Sequence, residues 1–274
     1  MIRNRHPSAR KTLLAAVACL TALPALAAAQ ESPSVVAVLR FDNDTGNARY
    51  DNLGRGLAAM MISDLSVLDE IQLVERERLE ELQAELDFQQ SPYVDPATAQ
   101  TTGLMVGAEF VITGSFMTVE PDMRIGTRIV DVETTEIRKA AEVQGPSNEL
   151  FELQQQLAET FIDGLGLVLT EEDRARLRER QEANRIDDIR TVLAFSRTLC
   201  YLDAGAYEAA VEQMIDLRDA SPNSVLFDVT LDLLQDRAAA EVRRRAEDQA
   251  RSRVGRIFGR NRPAPRRNIR PPGC

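Results

Sequence analysis

Apolar and polar residues follow one another along the chain in blocks that predict strands and helices in turn. The β-branched run Val35–Phe41 predicts a strand that is covered on both faces. The next block spaces its apolar residues by three and four, which predicts a helix with one buried face. Ile71–Val74 predicts a short strand, and the charged block after it predicts another helix. The apolar positions of the two helices are Leu53, Leu57, Met60, Met61, Leu65 and Leu68, then Leu79, Leu82 and Leu86.

The pattern continues with a small helix, three strands and one more helix. Ala97–Val106 predicts the small helix, which Gly107 is suited to end. Phe110–Val119 and Ile137–Val143 predict strands on either side of an alternating strand, and the short connections predict antiparallel neighbours. Ser147 is a candidate N-cap for the last helix of this part. The alternating strand carries Met123, Ile125, Thr127 and Ile129, and the last helix carries Leu150, Leu153, Leu157, Phe161 and Leu165 before Gly166.

This order of elements predicts an α/β (α+β) two-layer domain with a mixed sheet and flanking helices, followed by an all-α helical segment. The predicted divisions are a signal peptide at 1–29, the α/β domain at 30–168, a helical region at 169–250 and a basic Pro/Arg-rich disordered tail at 251–274. We expect the α/β domain to be stable alone, because its strands and amphipathic helices supply both layers of a core.

The first 29 residues predict export from the cytoplasm. Four basic residues precede the apolar run Leu13–Leu26, and small-x-small cleavage sites follow at Ala25–Ala27 and Ala27–Ala29. The run is shorter than the roughly 20 apolar residues of a membrane-spanning helix. An uncleaved anchor and a lipid-modified Cys19 stay open as alternatives. The predicted location is the periplasm, with outer-membrane association left open.

Charge and residue types argue against chemistry at an active site. The chain from residue 30 carries 29 Lys plus Arg against 43 Asp plus Glu, a net charge of −14, and it lacks the one histidine, His6. It also lacks a phosphate-binding loop, a Gly-x-Ser-x-Gly turn and cysteines at metal-binding spacing. We therefore predict a protein that is not an enzyme, with no catalytic, cofactor-binding or metal site. Gly54 and Gly56 lack the third glycine of a dinucleotide fingerprint and predict close packing at a helix start.

Cys200 and Cys274 are the two thiols that remain after removal of the signal peptide. The apolar surroundings of Cys200 on a predicted helix favour a buried free thiol that behaves as a small hydrophobic residue. Cys274 is terminal, so we expect it to be mobile, and an intermolecular disulfide stays open for it.

Residues Thr191–Asn223 fit one tetratricopeptide (TPR) repeat. Tyr201 stands six residues before Tyr207, the run Gly205–Ala210 matches the Gly-x-Tyr-x-x-Ala core, and Pro222 falls at the closing position. An ordinary helical hairpin stays open, because the early positions of the repeat depart from the pattern. On either interpretation Tyr201 and Tyr207 are candidate partner-binding residues.

The end of the chain is strongly basic. Residues 243–274 hold 11 Arg and a net charge of +9, whereas residues 30–242 carry −23. With four prolines and few apolar residues, such a tail is expected to be disordered from about Arg260. Arg266 and Arg267 are candidate contacts to an anionic membrane or polysaccharide surface. Nucleic acid is not an expected partner for an exported chain.

Three stretches resemble a known family. Val35–Phe41, Glu109–Phe116 and Arg128–Ile137 are similar to the soluble α/β domain of the CsgG family, which includes the bacterial curli export channel, and to the amino-terminal domain of TolB translocation proteins. The resemblance implies an envelope location and a role in protein–protein contact. Pore formation does not follow, since there is no room for the channel's barrel hairpins. The segment Asn47–Asn52 also differs from the channel's constriction loop.

The resemblance and the predicted export together imply a function. The chain is expected to be a non-enzymatic periplasmic or outer-membrane-associated component of a cell-envelope assembly or secretion system of the CsgG type. It would act through protein–protein binding to other envelope proteins, and a homo-oligomer is left open. The alternative is an oligomeric export channel component that is anchored as a lipoprotein through Cys19.

Overall fold

The described strands and helices follow one another in the predicted order, apart from a short additional strand at Asp42–Asn43. The predicted charged helix lies outside the described residues beyond Leu79. The structure, a computed structural model, describes residues 33–79, 96–186, 188–257 and 274. Its strands are β1 (Ser34–Val38), β2 (Asp42–Asn43), β3 (Ile71–Leu73), β4 (Phe110–Val119), β5 (Asp122–Asp131) and β6 (Ile137–Pro146). Its helices are α1 (Leu53–Leu65), α2 (Pro96–Val106), α3 (Leu150–Leu165), α4 (Glu171–Ala183), α5 (Ile189–Asp203), α6 (Tyr207–Ala220) and α7 (Val225–Ile257). The predicted fold class, a mixed sheet with flanking helices and then a helical segment, is confirmed.

The sheet is mixed, with the strand order β3-β1-β4-β5-β6 and β2 paired to β4. β1 runs parallel to β3 and β4, whereas β4, β5 and β6 form an antiparallel meander. The β4–β5 ladder extends from Phe110 opposite Asp131 to Val119 opposite Asp122. The prediction that these consecutive strands are antiparallel neighbours is therefore confirmed.

Alternate residues of the strands face two different hydrophobic clusters. On the first face, Val36 and Val38 of β1 belong to the main cluster together with residues of α1 and α3. On the second face, Ala37 and Leu39 pack in a smaller cluster with residues of α2. The main cluster continues without a break into α4, α5, α6 and α7. The helical segment therefore adds to the core of the sheet, while the boundary at residue 168 stays a prediction.

Two glycines of α1 explain how closely this helix is packed. A Cβ atom on Gly54 would lie 1.7 Å from the Phe41 carbonyl oxygen, and one on Gly56 would lie 2.0 Å from Ser196 Oγ of α5. A side chain at either position would force the neighbouring atoms to move. The prediction that Gly54 and Gly56 allow close packing at a helix start is confirmed.

The helix ends mostly follow the sequence signals. Gly107 and Gly166 adopt positive φ angles of 72° and 74° where α2 and α3 end, as predicted. Ser147, however, is not the N-cap of α3. It begins a 3-10 turn, and the residue before α3, Glu149, makes no side-chain capping hydrogen bond. The predicted signal peptide, Cys19 and most of the predicted tail lie outside the described residues, although α7 continues to Ile257.

Candidate partner-binding surfaces

A groove opens where the connection between α5 and α6 lies beside α7. The connection turns sharply because Gly205 adopts a φ of +71°, and the Ala206 N–H donates to the Tyr201 carbonyl at 2.8 Å. The groove has a volume of about 220 Å³. Small and aromatic side chains of α6 and its approach form one wall, and α7 forms the other. The walls include Ala206, Tyr207 and Ala209, and opposite them Ala238, Glu241 and Val242.

The two tyrosines that are predicted to bind a partner have different surroundings. Tyr207 lines the groove and stands at the first position of α6. Tyr201 is half-buried on α5, packs against the main hydrophobic cluster and helps to close the turn through its carbonyl. The structure therefore places Tyr207 in the groove and Tyr201 against the hydrophobic core. Partner binding by either residue stays a prediction.

Charged pairs border the groove on its α7 side. Glu241 accepts hydrogen bonds from Arg244 and from Arg245 Nε, the latter at 2.9 Å. The hydrogen bonds from Arg244 are the main reason that the pKa of Glu241 is lowered. Arg245 also lies 3.9 Å from Glu208 across the groove. A small apolar floor with both charges at its rim suits a short apolar side chain of a polar peptide.

Cys200 is not a free thiol. It forms a disulfide with Cys274, with an S–S distance of 2.02 Å. Both cysteine predictions are therefore wrong, and the reason is that the terminus returns to α5. The sequence held a usable signal, because an exported chain with two cysteines commonly pairs them. Arg266 and Arg267 lie outside the described residues.

The far end of the second sheet face carries exposed apolar side chains. Met117 and Val119 at the end of β4 are 44% and 69% exposed. α2 packs on the same face at Val111, but its 11 residues span only about 16 Å, whereas the ten residues of β4 span about 33 Å. No helix among the described residues covers the remainder. The sequence pattern did not predict this surface. The residues of a strand do not show how long the helix is that packs on it, and hence how much of the strand stays uncovered.

β6 forms one edge of the sheet and pairs with β5 in the described part of the chain. The Ser147 N–H donates to the Pro121 carbonyl at 2.8 Å. Because hydrogen-bonded pairs alternate in antiparallel ladders, Ala140, Glu142 and Gln144 direct their N–H and C=O groups away from β5. Such an edge can accept an extended segment of another protein.

A polar cluster is buried where the sheet-covering helices meet the helical segment. Asp64 of α1 is fully buried and accepts hydrogen bonds from Gln154 Nε2 of α3 at 2.5 Å and from Asn184 Nδ2 at 3.2 Å. Asn184 follows α4, and its Oδ1 accepts from the Leu226 N–H of α7 at 2.9 Å. Burial raises the pKa of Asp64 to about 6, although the hydrogen bonds from Asn184 and Gln154 oppose the shift. The hydrogen bonds of Asp64 and Asn184 therefore connect four helices.

A second polar contact joins the same two parts of the molecule. Arg76, just after β3, binds Asp203 at the end of α5 at 2.7 Å, and Arg55 of α1 binds the same carboxylate at 3.1 Å. The Arg76 side chain is buried and also pairs with Glu77 at 2.9 Å, so the loss of Asp203 would remove one of the ion pairs of a buried charge. This geometry is that of a structural junction.

Neither a metal cluster nor a membrane helix is found among the described residues. No group of three or more histidine, cysteine, aspartate or glutamate side chains is placed to hold a metal ion there. None of the helices in that part of the chain combines the length and the apolar character of a membrane crossing.

Residues 17–126 match the family model of CsgG, the curli production assembly/transport component. The match extends from within the predicted signal peptide to the first half of β5. The resemblance seen in Val35–Phe41 and Glu109–Phe116 is confirmed, whereas Arg128–Ile137 lies beyond the match. The match supports an envelope-associated role for the protein.

Several solved structures overlap with the chain at low similarity. The C-terminal domain of LpoB from Salmonella enterica is 19% identical, with 42% of this chain and 84% of that domain covered and a TM-score of 0.35. TolB from Acinetobacter baumannii is 14% identical over 48% of this chain and 28% of its own, with a TM-score of 0.33. The lipoprotein GNA1162 from Neisseria meningitidis is 15% identical over 50% of this chain and 100% of its own, with a TM-score of 0.35. No curated protein matches the chain.

Proposed function

We propose that the protein is a non-enzymatic component of a cell-envelope assembly or secretion system of the CsgG type, and that it acts by binding other envelope proteins. The family match over residues 17–126 supports the system. The predicted signal peptide and the Cys200–Cys274 disulfide support a location outside the cytoplasm, because disulfides persist in oxidising compartments.

The groove between α6 and α7 carries the proposal of protein binding. It combines an aromatic residue, Tyr207, with small apolar positions and a charged rim on one helical hairpin. A groove of about 220 Å³ is small for an organic cofactor but sufficient for one or two side chains of a peptide. The outer edge of β6 offers a second surface for an extended segment.

Cell fractionation with intact-mass measurement tests the location. We expect a mature protein that begins near Gln30 in the periplasmic fraction, with or without association with the outer membrane. A diacylated amino-terminal Cys19 in the membrane fraction would instead support the alternative, an anchored component of an export channel. A cytoplasmic protein that still carries Met1 would refute both the periplasmic component and the anchored channel component.

Site-specific photocrosslinking in cells tests the binding surface. The crosslinking residue p-benzoylphenylalanine is placed at Ala209, which lines the groove, and in a control at Ala220, which is exposed at the other end of α6. We expect a discrete crosslinked protein from position 209 alone, and Tyr207→Ala should reduce it. Equal products from both positions, or none from position 209, would refute binding at the groove.

The basic tail is proposed as an electrostatic tether. Residues 243–274 carry +9 beside a body of −23, so Arg266 and Arg267 can attract lipid phosphate or anionic polysaccharide over about 8 Å at physiological salt. Such an attraction would hold the protein close to the membrane without a membrane helix. It would also weaken steeply as the salt concentration rises.

A further inference from the structure

We propose that the cluster of Asp64, Gln154 and Asn184 is a proton-controlled junction, in which uptake of one proton by Asp64 tightens the attachment of the helical segment to the sheet. This inference is independent of the proposed function, because it depends on the buried cluster alone. Within the described residues the cluster belongs to no groove or surface discussed above.

The hydrogen bonds join parts of the chain that are far apart in sequence. Asp64 lies near the end of α1 and Gln154 lies on α3, and both helices cover the sheet. Asn184 bonds to Ser63 Oγ at 3.0 Å as well as to Asp64, and it also accepts the Leu226 N–H. Opening of the junction between the sheet and α4 or α7 would therefore expose Asp64 to water.

The charge of Asp64 is poorly compensated while the junction is closed. Groups from four helices surround Asp64. α1 contributes the neighbouring Ser63 hydroxyl, and α3 contributes the neutral amide of Gln154. α7 contributes a backbone N–H that bonds to Asn184. α4 supplies Arg180, the positive side chain whose attraction reaches Asp64 without an ion pair. Two amide donors do not replace the water that a buried carboxylate loses.

The cluster holds an acceptor for the added proton. Gln154 Oε1 is buried and accepts no hydrogen bond within the described residues. A half-turn of the Gln154 amide exchanges its oxygen and nitrogen, because the two ends have nearly the same shape. Oε1 would then stand where Nε2 stands now, 2.5 Å from Asp64 Oδ2, and would accept the O–H of the protonated carboxyl.

The direction of the pH dependence follows from linkage. The pKa of Asp64 is raised from its ordinary value of 3.8 to about 6, so the closed junction binds the proton more tightly than the open one. The added stability is complete below pH 3.8 and is lost as the pH rises through 6. Each pKa unit is a factor of ten, so the closed state should be favoured about a hundredfold more at low pH than at pH 8. The chain has no histidine after His6, so no imidazole group contributes to a pH dependence in this range.

Unfolding in urea at pH 5 and pH 8 tests the proposal on the full oxidised chain. The wild type should have a folding equilibrium constant about tenfold larger at pH 5 than at pH 8, because pH 5 lies one unit below the raised pKa of Asp64. Asp64→Asn, which stays neutral, should reduce this ratio to less than about threefold. The matched control Asp232→Asn makes the same change at an exposed position of α7 and should keep the wild-type ratio. A wild-type ratio near one, or an unchanged ratio in Asp64→Asn, would overturn the proposal.

A titration by nuclear magnetic resonance needs no variant and therefore decides the case even if Asp64→Asn does not fold. The Asp64 carboxyl carbon should titrate with a midpoint near pH 6, and the side-chain amide signals of Gln154 and Asn184 should move with the same midpoint. A carboxyl midpoint below pH 5, or amide signals that do not change with pH, would refute the proton-controlled junction.

Discussion

Replacement of Gly56 by alanine tests the close contact between α1 and α5. The new Cβ would lie 2.0 Å from Ser196 Oγ, well inside the ordinary van der Waals separation. Ser196 is fully buried, and its hydroxyl donates to the Val192 carbonyl at 2.7 Å, so any displacement costs that hydrogen bond. Overpacking costs about 1–3 kcal/mol, and alanine gains up to about 1 kcal/mol over glycine inside a helix. We expect a net loss of about 1–2 kcal/mol in the free energy of unfolding.

The second substitution, Ser196→Ala, should remove most of the cost of Gly56→Ala itself. It removes Oγ, and the nearest remaining atom is then the Cβ of residue 196 at 3.2 Å, a tight but tolerable contact. Alone it should cost about 1 kcal/mol through the lost hydrogen bond. In its presence, Gly56→Ala should be neutral or slightly stabilising. The two substitutions should therefore show a coupling free energy of about 2 kcal/mol.

Urea unfolding of the four proteins in this double-mutant cycle measures the coupling, with the disulfide kept intact. Gly54→Ala serves as the contrast, because its Cβ would meet the backbone oxygen of Phe41 at 1.7 Å and Ser196→Ala cannot relieve that clash. If Gly56→Ala and Ser196→Ala add within about 0.5 kcal/mol, then α1 and α5 do not approach as closely as described.

Three further predictions concern the attachment of the remaining chain. Cys274→Ser should lower the free energy of unfolding by about 2–4 kcal/mol, since the disulfide closes a loop with a sequence separation of 74. Cys200→Ser added to it should cost little more, and independent losses from the two substitutions would refute the pairing. The sequence alone predicts an α/β domain that is stable by itself, but the shared core changes this expectation. A fragment of residues 30–169 should melt with less cooperativity than the full chain, by calorimetry, because it uncovers α1; equal cooperativity would show two separate cores. Arg266→Glu with Arg267→Glu should weaken binding to anionic lipid vesicles in low salt, and unchanged sedimentation would refute the tether.

The sheet was predictable because its signals are local. In β5, Met123, Ile125 and Ile129 alternate with more exposed residues, and this period of two is a direct consequence of the pleat. Gly107 and Gly166 mark helix ends by their own conformational freedom. Such features depend on residues a few positions apart, so the sequence alone contains them.

The polar junction was not predictable in this way. Asp64 is one of many acidic residues, and the sequence suggested nothing unusual at its position on a helix. Its partners Gln154 and Asn184 stand 90 and 120 residues further along the chain. Burial of a carboxylate depends on which helices meet around it, and that is set by tertiary packing. The pairing of Cys200 with Cys274 is different, because counting cysteines in a chain that is predicted to be exported would have suggested it.

The composition of α1 indicates why the sheet and the helical segment share one core. The sequence pattern identified one apolar face with Leu53, Leu57 and Leu65, and this face covers the sheet. The opposite side carries Gly56 and small residues in place of the charged residues usual on a solvated face. No residue of α1 is exposed, so a second layer of helices must approach it closely. Small residues opposite an apolar stripe are therefore the signal, within one helix, that α1 belongs between two layers. Asp64 lies near the end of the same helix, so its charge affects both the layer that covers the sheet and the helical segment.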